Sequence, residues 1–337
     1  MATVGIVGGS GYMGGEAMRI VLKHPRLELA WVTSRTPGPV ERFHPNLYGA
    51  GLSFVRLDDV KTPDFVLLAL PPAASIDVAN RFLSDGARVI DLGSAFRLND
   101  RPVWAHDAVY GISEFHESEI ARARLVANPG CFSSAAILGL APLIQHGFID
   151  QERIVVTGLS GTAGAGMELS RVIHHAEIGN NVVPYNVVGH RHTHEIEQEL
   201  SGLSGRRVRV RFTPAYIPIV RGILTICHGF LSVAQSRGGM LDLFRTFYRD
   251  QPFIRIYDQP HDEQEIWRYR SYPWISAVVG TNYCHIGLDI DEDRQSIAVL
   301  SVLDSLGKGG AAAGIENLNV MASLPRIAGL LDYALHP

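Results

Sequence analysis

Cysteine and long apolar runs are scarce in this sequence of 337 residues. The three cysteines, at Cys131, Cys227 and Cys284, match neither a disulfide framework nor a zinc-ligand spacing. No apolar run reaches the roughly 18 residues that a membrane helix needs. The N-terminus leads directly into a strand-like segment, with no pattern of a signal peptide. We therefore expect a protein of the reducing cytoplasm, with no membrane partner.

An excess of positive charge is also lacking, since the formal net charge is −4 at pH 7. This balance predicts no nucleic-acid partner. The one basic run, residues 206–211, alternates arginine with apolar side chains, which is typical of a strand with one solvent-facing side. Apolar residues make up 46% of the chain, and its length is sufficient for two domains.

The first third of the sequence alternates strand and helix patterns. Strands are predicted at residues 3–7, 27–33, 65–70 and 88–92, with helices at 15–23 and 74–85. The run FVLLAL at 65–70 is apolar on both faces, as strands of a parallel sheet require. The alternation predicts an α/β fold, a Rossmann-type doubly wound parallel sheet.

The pattern changes beyond residue 154, where strands recur without regular helices between them. They are predicted at 154–158, 208–213, 222–233, 283–290 and 296–303, followed by a helix at 308–321. Such a run favours an α+β domain with a largely antiparallel sheet. We expect a nucleotide-binding domain over residues 1–130, completed by a C-terminal helix within about 309–337, and a second domain over 131–308.

A glycine-rich turn follows the first predicted strand. Gly8, Gly11 and Gly14 are spaced so that the backbone could approach a pyrophosphate at the start of a helix. After the second strand, where an acidic residue would favour NAD, the chain has Ser34 and Arg35. A hydroxyl and a guanidinium suit a 2′-phosphate. The sequence therefore predicts NADP(H) as the cofactor.

The segment Asn-Pro-Gly-Cys ending at Cys131 precedes an apolar helix predicted from about Ser133. A helix N-terminus stabilises a thiolate. Cys131 also lies where the predicted nucleotide-binding domain joins the second domain. A nicotinamide bound to the first domain could there reach a covalent intermediate on the cysteine sulfur. Cys227 and Cys284 lie in apolar strand patterns typical of core cysteine. We predict Cys131 as the nucleophile.

A histidine-rich segment lies between the predicted strands of the second domain. His190 and His192 precede a predicted helix with Thr193 as its N-cap and Glu195 in its first turn. A histidine close to the thiol could take its proton. No third metal ligand is suitably spaced, so we expect no metal.

An acyl-phosphate substrate would need cationic side chains. Arg97 and Arg221 are the candidates, and the sequence leaves open which binds phosphate and which binds a carboxylate. The glycine-rich loop at 160–166 would allow close approach of a substrate, although it could equally be a flexible connection.

Together these motifs resemble the N-acetyl-γ-glutamyl-phosphate reductases of arginine biosynthesis, over essentially the whole chain. The resemblance is carried by the glycine turn, Ala-Asn-Pro-Gly-Cys at 127–131, Gly-His-Arg-His-Thr at 189–193, Glu-Ile-Glu-Gln at 195–198, Arg-Gly at 221–222, Gly-Thr-Asn at 280–282 and Asp-Ser-Leu-Gly-Lys at 304–308.

This resemblance implies a fold like that of the semialdehyde dehydrogenases, with an α+β catalytic and dimerisation domain and assembly as a homodimer or homotetramer. It implies that Cys131 attacks the acyl phosphate to form a thioester, that NADPH reduces the thioester, and that His190 is the base. The expected cofactor-binding residues are Gly8, Ser10, Gly11, Tyr12, Met13, Gly14, Ser34, Arg35, Leu70, Pro71, Ser94, Gly164 and Asn317. The expected substrate-binding residues are Arg97, Asn128, Ser160, Gly161, His192, Glu195 and Arg221.

Three positions depart from the family pattern: Met167 replaces a common arginine, Ala95 a common aspartate and Ser133 a common proline. The missing cation at Met167 leaves open a related substrate, aminoadipyl or glutamyl phosphate held on a small acidic carrier protein. Residues 33–35, 44–47 and 174–175 also resemble that carrier-linked relative. Phe132 favours the arginine enzyme, because the carrier-linked form commonly has asparagine there.

Two further hypotheses are less well supported. Aspartate-semialdehyde dehydrogenase shares the fold, but His190 follows Cys131 by only 59 residues, which argues against it. A non-catalytic NADPH-binding regulator would not need an intact set of Cys131, His190 and Arg221.

Overall fold

The structure, a computed structural model, describes residues 1–99, 108–258 and 272–335. The chain divides into two compact units. The first consists of Met1–Pro129 and Gly310–Asp332, and the second consists mainly of Gly130–Gly309.

The first unit is built on a six-stranded sheet in the order β2-β1-β5-β6-β8-β7, in which every pairing is parallel. Its elements up to residue 129 are β1 (Ala2–Val7), α1 (Tyr12–Lys23), β2 (Leu27–Thr33), β3 (Gly38–Pro39), β4 (Ser53–Phe54), β5 (Phe65–Leu68), α2 (Pro72–Ser84), β6 (Arg88–Asp91), β7 (Val109–Tyr110), α3 (Ser113–Arg122) and β8 (Leu125–Ala127). The predicted parallel sheet is confirmed.

The central strand β5 explains why the sheet needs helices on its faces. All four residues of β5 are buried. Val66 and Leu68 belong to a core cluster with Phe82 and Leu83 of α2. Side chains alternate along a strand, so Phe65 and Leu67 are directed to the opposite face. A strand that is buried on both sides has no polar positions, which is why its sequence shows no alternation.

The second unit contains a seven-stranded sheet in the order β10-β11-β9-β12-β15-β14-β13. Its elements are α4 (Cys131–Gln145), β9 (Ile154–Ser160), α5 (His175–Ile178), β10 (Val183–Pro184), α6 (Arg191–Ser204), β11 (Val210–Tyr216), β12 (Ile223–Phe230), α7 (Arg237–Phe247), β13 (Ile254–Ile256), β14 (Cys284–Asp291) and β15 (Ser296–Leu303).

This second sheet is mixed but largely antiparallel, as predicted. The pairings β10–β11, β9–β12, β12–β15 and β14–β15 are antiparallel. In contrast, β9 pairs with β11 and β13 with β14 in parallel. The parallel pairing of β9 with β11 requires a crossover connection, and α6 lies within it. The helix predicted after Thr193 is present as α6, whereas α7 between β12 and β13 was not predicted.

Helix α4 begins at Cys131, two residues before the predicted start at Ser133. Every residue from Phe132 to Ile144 is buried, so α4 is a core helix with no solvent face. It packs on β12 and β15, and a Cβ added to Gly139 would lie 2.4 Å from the Ser301 hydroxyl oxygen. The small residue thus allows close approach of helix and sheet.

The last helix, α8 (Ala312–Met321), belongs to the first unit and packs on α1 and α3. It begins four residues later than predicted, because Gly307–Ala311 forms a π-type turn with a non-helical Gly310. Among the described residues, no helix is long and apolar enough to cross a membrane.

Candidate active site

The predicted cofactor residues of the first unit follow the carboxyl ends of parallel strands. They leave four different strands: Gly8, Ser10 and Gly11 after β1, Ser34 and Arg35 after β2, Leu70 and Pro71 after β5, and Ser94 after β6. The carboxyl ends of parallel strands meet at one edge of a sheet, and in open α/β sheets ligands bind there. The structure therefore brings these residues to one edge.

The glycine turn between β1 and α1 has no room for a side chain at Gly8 or at Gly14. Gly8 has a φ of 84°, and a Cβ there would lie 2.3 Å from the carbonyl oxygen of Ala69. A Cβ at Gly14 would lie 2.6 Å from the carbonyl oxygen of Gly8. Gly11 is the N-cap of α1 and has no side chain to cap the helix. The first N–H groups of α1 are thus suited to a pyrophosphate.

Asn317 of α8 joins the turn that follows β8. Its amide nitrogen donates to the carbonyl of Gly111 at 2.9 Å and to Oδ1 of Asn128 at 3.1 Å, and the Asn128 amide in turn donates to the carbonyl of Gly310 at 3.1 Å. The Asn317 Oδ1 atom is buried and accepts no hydrogen bond from the described residues. Because buried acceptors normally have a donor, this oxygen fits an amide N–H such as that of a nicotinamide.

Arg97 lies in a loop organised by Asp91, a residue that the sequence analysis did not single out. The Asp91 carboxylate accepts backbone N–H groups of Gly93 and Ala95 and the hydroxyl of Ser75, at 3.0 to 3.1 Å. Burial raises the pKa of Asp91, and the positive charge of Arg97 opposes that rise. Arg97 is itself buried and donates to the carbonyl of Leu92.

In the second unit, Cys131 is the first residue of α4. The N–H of the preceding Gly130 donates to Oε2 of Glu195 at 3.0 Å, and Glu195 is buried in α6. A charge-assisted hydrogen bond of this kind holds the turn before the cysteine in place. Cys227 and Cys284 are both fully buried, and burial raises the pKa of Cys227 to about 12, which suits core cysteines.

His190, rather than the predicted Thr193, is the N-cap of α6. Its Nδ1 accepts the backbone N–H of His192 at 3.2 Å. The helix therefore begins at Arg191, and His192 lies inside it, buried, with Nε2 3.8 Å from a Glu195 carboxylate oxygen. The prediction placed the helix start too late, because serine and threonine are better known N-caps than histidine.

The environment of His190 favours its neutral form. Burial, with a contribution from the adjacent Arg191, lowers the pKa of His190 to about 4, although Glu195 acts in the opposite direction. Since Nδ1 accepts a hydrogen bond, the neutral imidazole carries its proton on Nε2. At neutral pH, His190 can therefore donate through Nε2 without carrying charge.

Aromatic contacts bring the starts of α4 and α6 together. The Phe132 ring, next to Cys131, lies 6.2 Å from the ring of His190 and 5.9 Å from that of His192. On the other side, the ring of Tyr185 lies 5.6 Å from that of His190. Through Phe132 and Gly130, the neighbours of Cys131, the described geometry thus groups the start of α4 with His190, His192 and Glu195.

Tyr185 and Tyr216 were missed by the sequence analysis. Their rings stack with centroids 4.2 Å apart and planes 9° apart. The pKa of each phenol is raised, first by burial, and a charge on Cys131 contributes in the same direction. Two neutral tyrosines separated by 30 intervening residues carry no sequence signal, because only the β10–β11 pairing brings them together.

The remaining predicted substrate residues lie where β9 ends and β12 begins. Gly161 N–H donates to the carbonyl of Gly222 at 3.0 Å, and Ser160 is buried with its hydroxyl on the Gly161 carbonyl. A Cβ on Gly164 would lie 2.8 Å from that hydroxyl oxygen. Arg221 forms an ion pair with Asp304. Met167 is exposed, and Gly164 is the one predicted cofactor residue in this unit.

Two family profiles match the chain. One, described as the semialdehyde dehydrogenase NAD binding domain, matches residues 3–123, and the other, the semialdehyde dehydrogenase dimerisation domain, matches residues 131–305. Aspartate semialdehyde dehydrogenase II of Vibrio cholerae is 15% identical with a TM-score of 0.72, covering 96% of this chain and 98% of that one. Aspartate semialdehyde dehydrogenase of Candida albicans, solved with NADP, is 14% identical with a TM-score of 0.65, covering 96% of this chain and 98% of that one. The fold and these matches define an oxidoreductase of the semialdehyde dehydrogenase class.

Closer relatives identify the family within this class. N-acetyl-γ-glutamyl-phosphate reductases of Acidithiobacillus ferrooxidans and Desulforudis audaxviator are 38% and 37% identical, with 100% of both chains covered in each comparison. A LysW-L-2-aminoadipate/LysW-L-glutamate phosphate reductase of Cenarchaeum symbiosum is 36% identical, with 99% of both chains covered. The chain belongs to the N-acetyl-γ-glutamyl-phosphate reductase family, which includes carrier-linked relatives, and the predicted resemblance is confirmed.

Proposed function

We propose that this protein uses NADPH to convert N-acetyl-γ-glutamyl phosphate into N-acetylglutamate 5-semialdehyde and phosphate. The observation that carries the proposal is the grouping of Cys131 at the start of α4 with His190 at the start of α6. A nucleophilic thiol with an imidazole that can exchange its proton is the arrangement that acyl transfer requires. The full-length relatives with this reductase activity in their names support the substrate.

In this proposal the first unit binds NADP(H), which supplies a hydride when bound. The N–H groups at the start of α1 hold the pyrophosphate, and Arg35 holds the 2′-phosphate. Arg35 is exposed at the end of β2, where the fold contacts the adenosine ribose. Asn317 orients the nicotinamide carboxamide through its buried Oδ1. The solved neighbour containing NADP is consistent with this choice.

The covalent step uses Cys131. Its sulfur attacks the acyl carbon, the bond from that carbon to the phosphate oxygen breaks, and phosphate leaves with the electron pair. His190 takes the thiol proton. The resulting thioester is reduced by hydride, and the tetrahedral oxyanion then collapses to the aldehyde by expelling the thiolate. The thiolate recovers its proton from His190, and the departing phosphate takes one from solvent.

The N-cap bond of His190 bears on this proton transfer. In the resting tautomer the proton is on Nε2, which can donate to an oxyanion but cannot accept from a thiol. Acceptance at Nε2 requires the proton to move to Nδ1 and the bond from the His192 N–H to break. That costs about 1 kcal/mol, the typical worth of an N-cap bond. The cost is small beside the barrier reduction expected of a general base.

A second candidate is the same reaction on aminoadipyl or glutamyl phosphate carried by a small acidic carrier protein. The observation that favours it is Met167, exposed in the loop where a cation is expected for a free substrate. The Cenarchaeum relative, whose name includes such a carrier, supports it. We further propose a cytoplasmic homodimer or homotetramer, for which the matched dimerisation domain is the support.

The test is the reverse reaction with purified protein. Free N-acetylglutamate semialdehyde, NADP and phosphate should give NADPH, and omission of phosphate should abolish the rate. NAD in place of NADP should be a poor substrate. Turnover only with a carrier-linked semialdehyde would select the second candidate. Turnover with neither aldehyde, by protein that binds NADPH, would refute both.

A further inference from the structure

The second unit contains a cavity that the proposed mechanism does not use. Its volume is about 600 Å³, which lies within the range of small-molecule binding sites. The residues that line it come from three segments, within 147–153, 206–207 and 230–232. All three segments belong to the second unit, and none contains a residue that the sequence analysis assigned to the active site.

Main-chain hydrogen bonds join the walls of this cavity. The N–H of Asp150 donates to the carbonyl of Phe230 at 2.9 Å, which joins the first segment to the third. The N–H of Arg209 donates to the carbonyl of Gln151, also at 2.9 Å, and this bond joins the first segment to the chain that follows Arg207. The shape of the cavity is therefore set by the folded main chain.

The cavity lies at the end of the sheet opposite to Ser160 and Tyr216 of the candidate active site. Residues 147–153 directly precede β9 and residues 206–207 precede β11, and these two strands pair in parallel. The cavity therefore adjoins their amino ends, whereas Ser160 and Tyr216 end the same strands. Each strand has seven residues, so at about 3.3 Å per residue the two ends are roughly 20 Å apart. One small ligand cannot occupy both places.

Three arginines line the cavity, and no carboxylate of the described chain neutralises them. The guanidiniums of Arg153, Arg206 and Arg207 form no ion pair and donate no hydrogen bond to any residue that the structure describes. The guanidinium carbon of Arg153 lies 4.4 Å from the centroid of the Phe230 ring, and an aromatic face holds a guanidinium without removing its charge. Arg206 and Arg207 begin the basic run at 206–211, and they lie before β11 and not within it.

Two carboxylates also line the cavity, those of Asp150 and Glu152. The Asp150 carboxylate is engaged with the local main chain, because its Oδ1 accepts the N–H of Glu152 at 3.0 Å. Three guanidiniums against two carboxylates leave the lining with one net positive charge. Unpaired guanidiniums bind the oxygens of phosphate and carboxylate groups through charge-assisted hydrogen bonds. The cavity is therefore suited to an anion that can reach more than one arginine.

We propose that this cavity is a binding site for a small polyanion, a molecule with two or more phosphate or carboxylate groups. Arg206 and Arg207 bind the anion from the segment before β11, and Arg153, held against Phe230, binds it from the segment before β9. The site is separate from the one that carries the proposed reaction, and its existence does not depend on that reaction.

The test is isothermal titration calorimetry of the protein with pyrophosphate and with citrate, and the tighter of the two shows whether phosphate or carboxylate groups are preferred. Arg206→Gln and Arg153→Gln should each weaken binding roughly ten- to hundredfold, as loss of hydrogen bonds to a charged group predicts. Arg211→Gln, at an exposed arginine of β11 that does not line the cavity, should bind as the unaltered protein does. No saturable binding of either anion, or equal affinity in all three variants, would overturn the proposal.

Hydrogen–deuterium exchange locates the bound anion independently. In the unaltered protein, the anion should slow exchange of the backbone N–H groups within residues 147–153 and 206–209, and Arg206→Gln should lose this protection. Protection confined to the glycine turn at residues 8–14, or to the starts of α4 and α6, would place the anion in the nucleotide or catalytic site and overturn the proposal. Neither measurement needs turnover, so both stay interpretable if the proposed reaction fails.

Discussion

Replacing His190 by asparagine or alanine separates its structural role from its chemical role. The imidazole caps α6 by accepting the His192 N–H, and in the proposed mechanism it also exchanges the Cys131 proton. Asparagine is a strong N-cap but cannot exchange a proton near neutral pH, whereas alanine can do neither. We expect both variants to lose roughly 10²- to 10⁴-fold in kcat, the usual contribution of a general acid–base group.

The thermal stability of the same two variants should differ. His190→Ala should lose about 1 kcal/mol, the typical worth of an N-cap, which lowers Tm by roughly 2–4 °C in a unit of this size. His190→Asn should keep the Tm of the unaltered protein. The measurements are steady-state kinetics in the phosphate-dependent direction and thermal unfolding followed by circular dichroism. An asparagine variant that keeps more than about a tenth of kcat would refute proton exchange by His190.

Four other changes test the remaining parts of the account. Cys131→Ser should abolish turnover yet leave NADPH affinity, measured by fluorescence titration, unchanged. Arg35→Ala should raise the KM for NADP roughly ten- to hundredfold and leave that for NAD unchanged; equal effects on both would remove Arg35 from the 2′-phosphate site. Gly14→Ala should weaken binding of both dinucleotides, because its Cβ would lie 2.6 Å from the Gly8 carbonyl oxygen; unchanged affinity would contradict the turn geometry. The pH profile of kcat/KM should stay flat on its acid side down to about pH 4, because the pKa of His190 is lowered to about 4 and the imidazole must be neutral to accept a proton; an acid limb near pH 6.5 would contradict it.

Much of the first unit could be predicted because its sequence signals lie in short, contiguous segments. The glycine turn after β1 and the uninterrupted apolar run of β5 follow directly from close backbone approach and burial on both faces. The short elements β7, α3 and β8 were not predicted. They contain only two, ten and three residues, and short segments give too few positions for a periodic pattern to emerge.

The sequence motifs of the candidate site could be predicted, but the contacts that these residues make with distant parts of the chain could not. Cys131, His190 and Glu195 lie in distinctive segments, so their chemistry could be inferred from residue type and neighbours. The stacked Tyr185 and Tyr216 depend on strand pairing between distant segments. The commitment of Arg221 to Asp304 likewise involves residues 83 positions apart. Such pairings cannot be derived from local patterns.

The most direct test of the covalent mechanism uses the acyl phosphate substrate with no NADPH present. We expect a rapid burst of phosphate equal to the number of active sites, followed by a slow phase. Mass spectrometry of the peptide that contains Cys131 should then show one added acyl group, removed on addition of NADPH. Full turnover with NADPH, but without a burst or an acylated Cys131 peptide in its absence, would contradict the thioester mechanism.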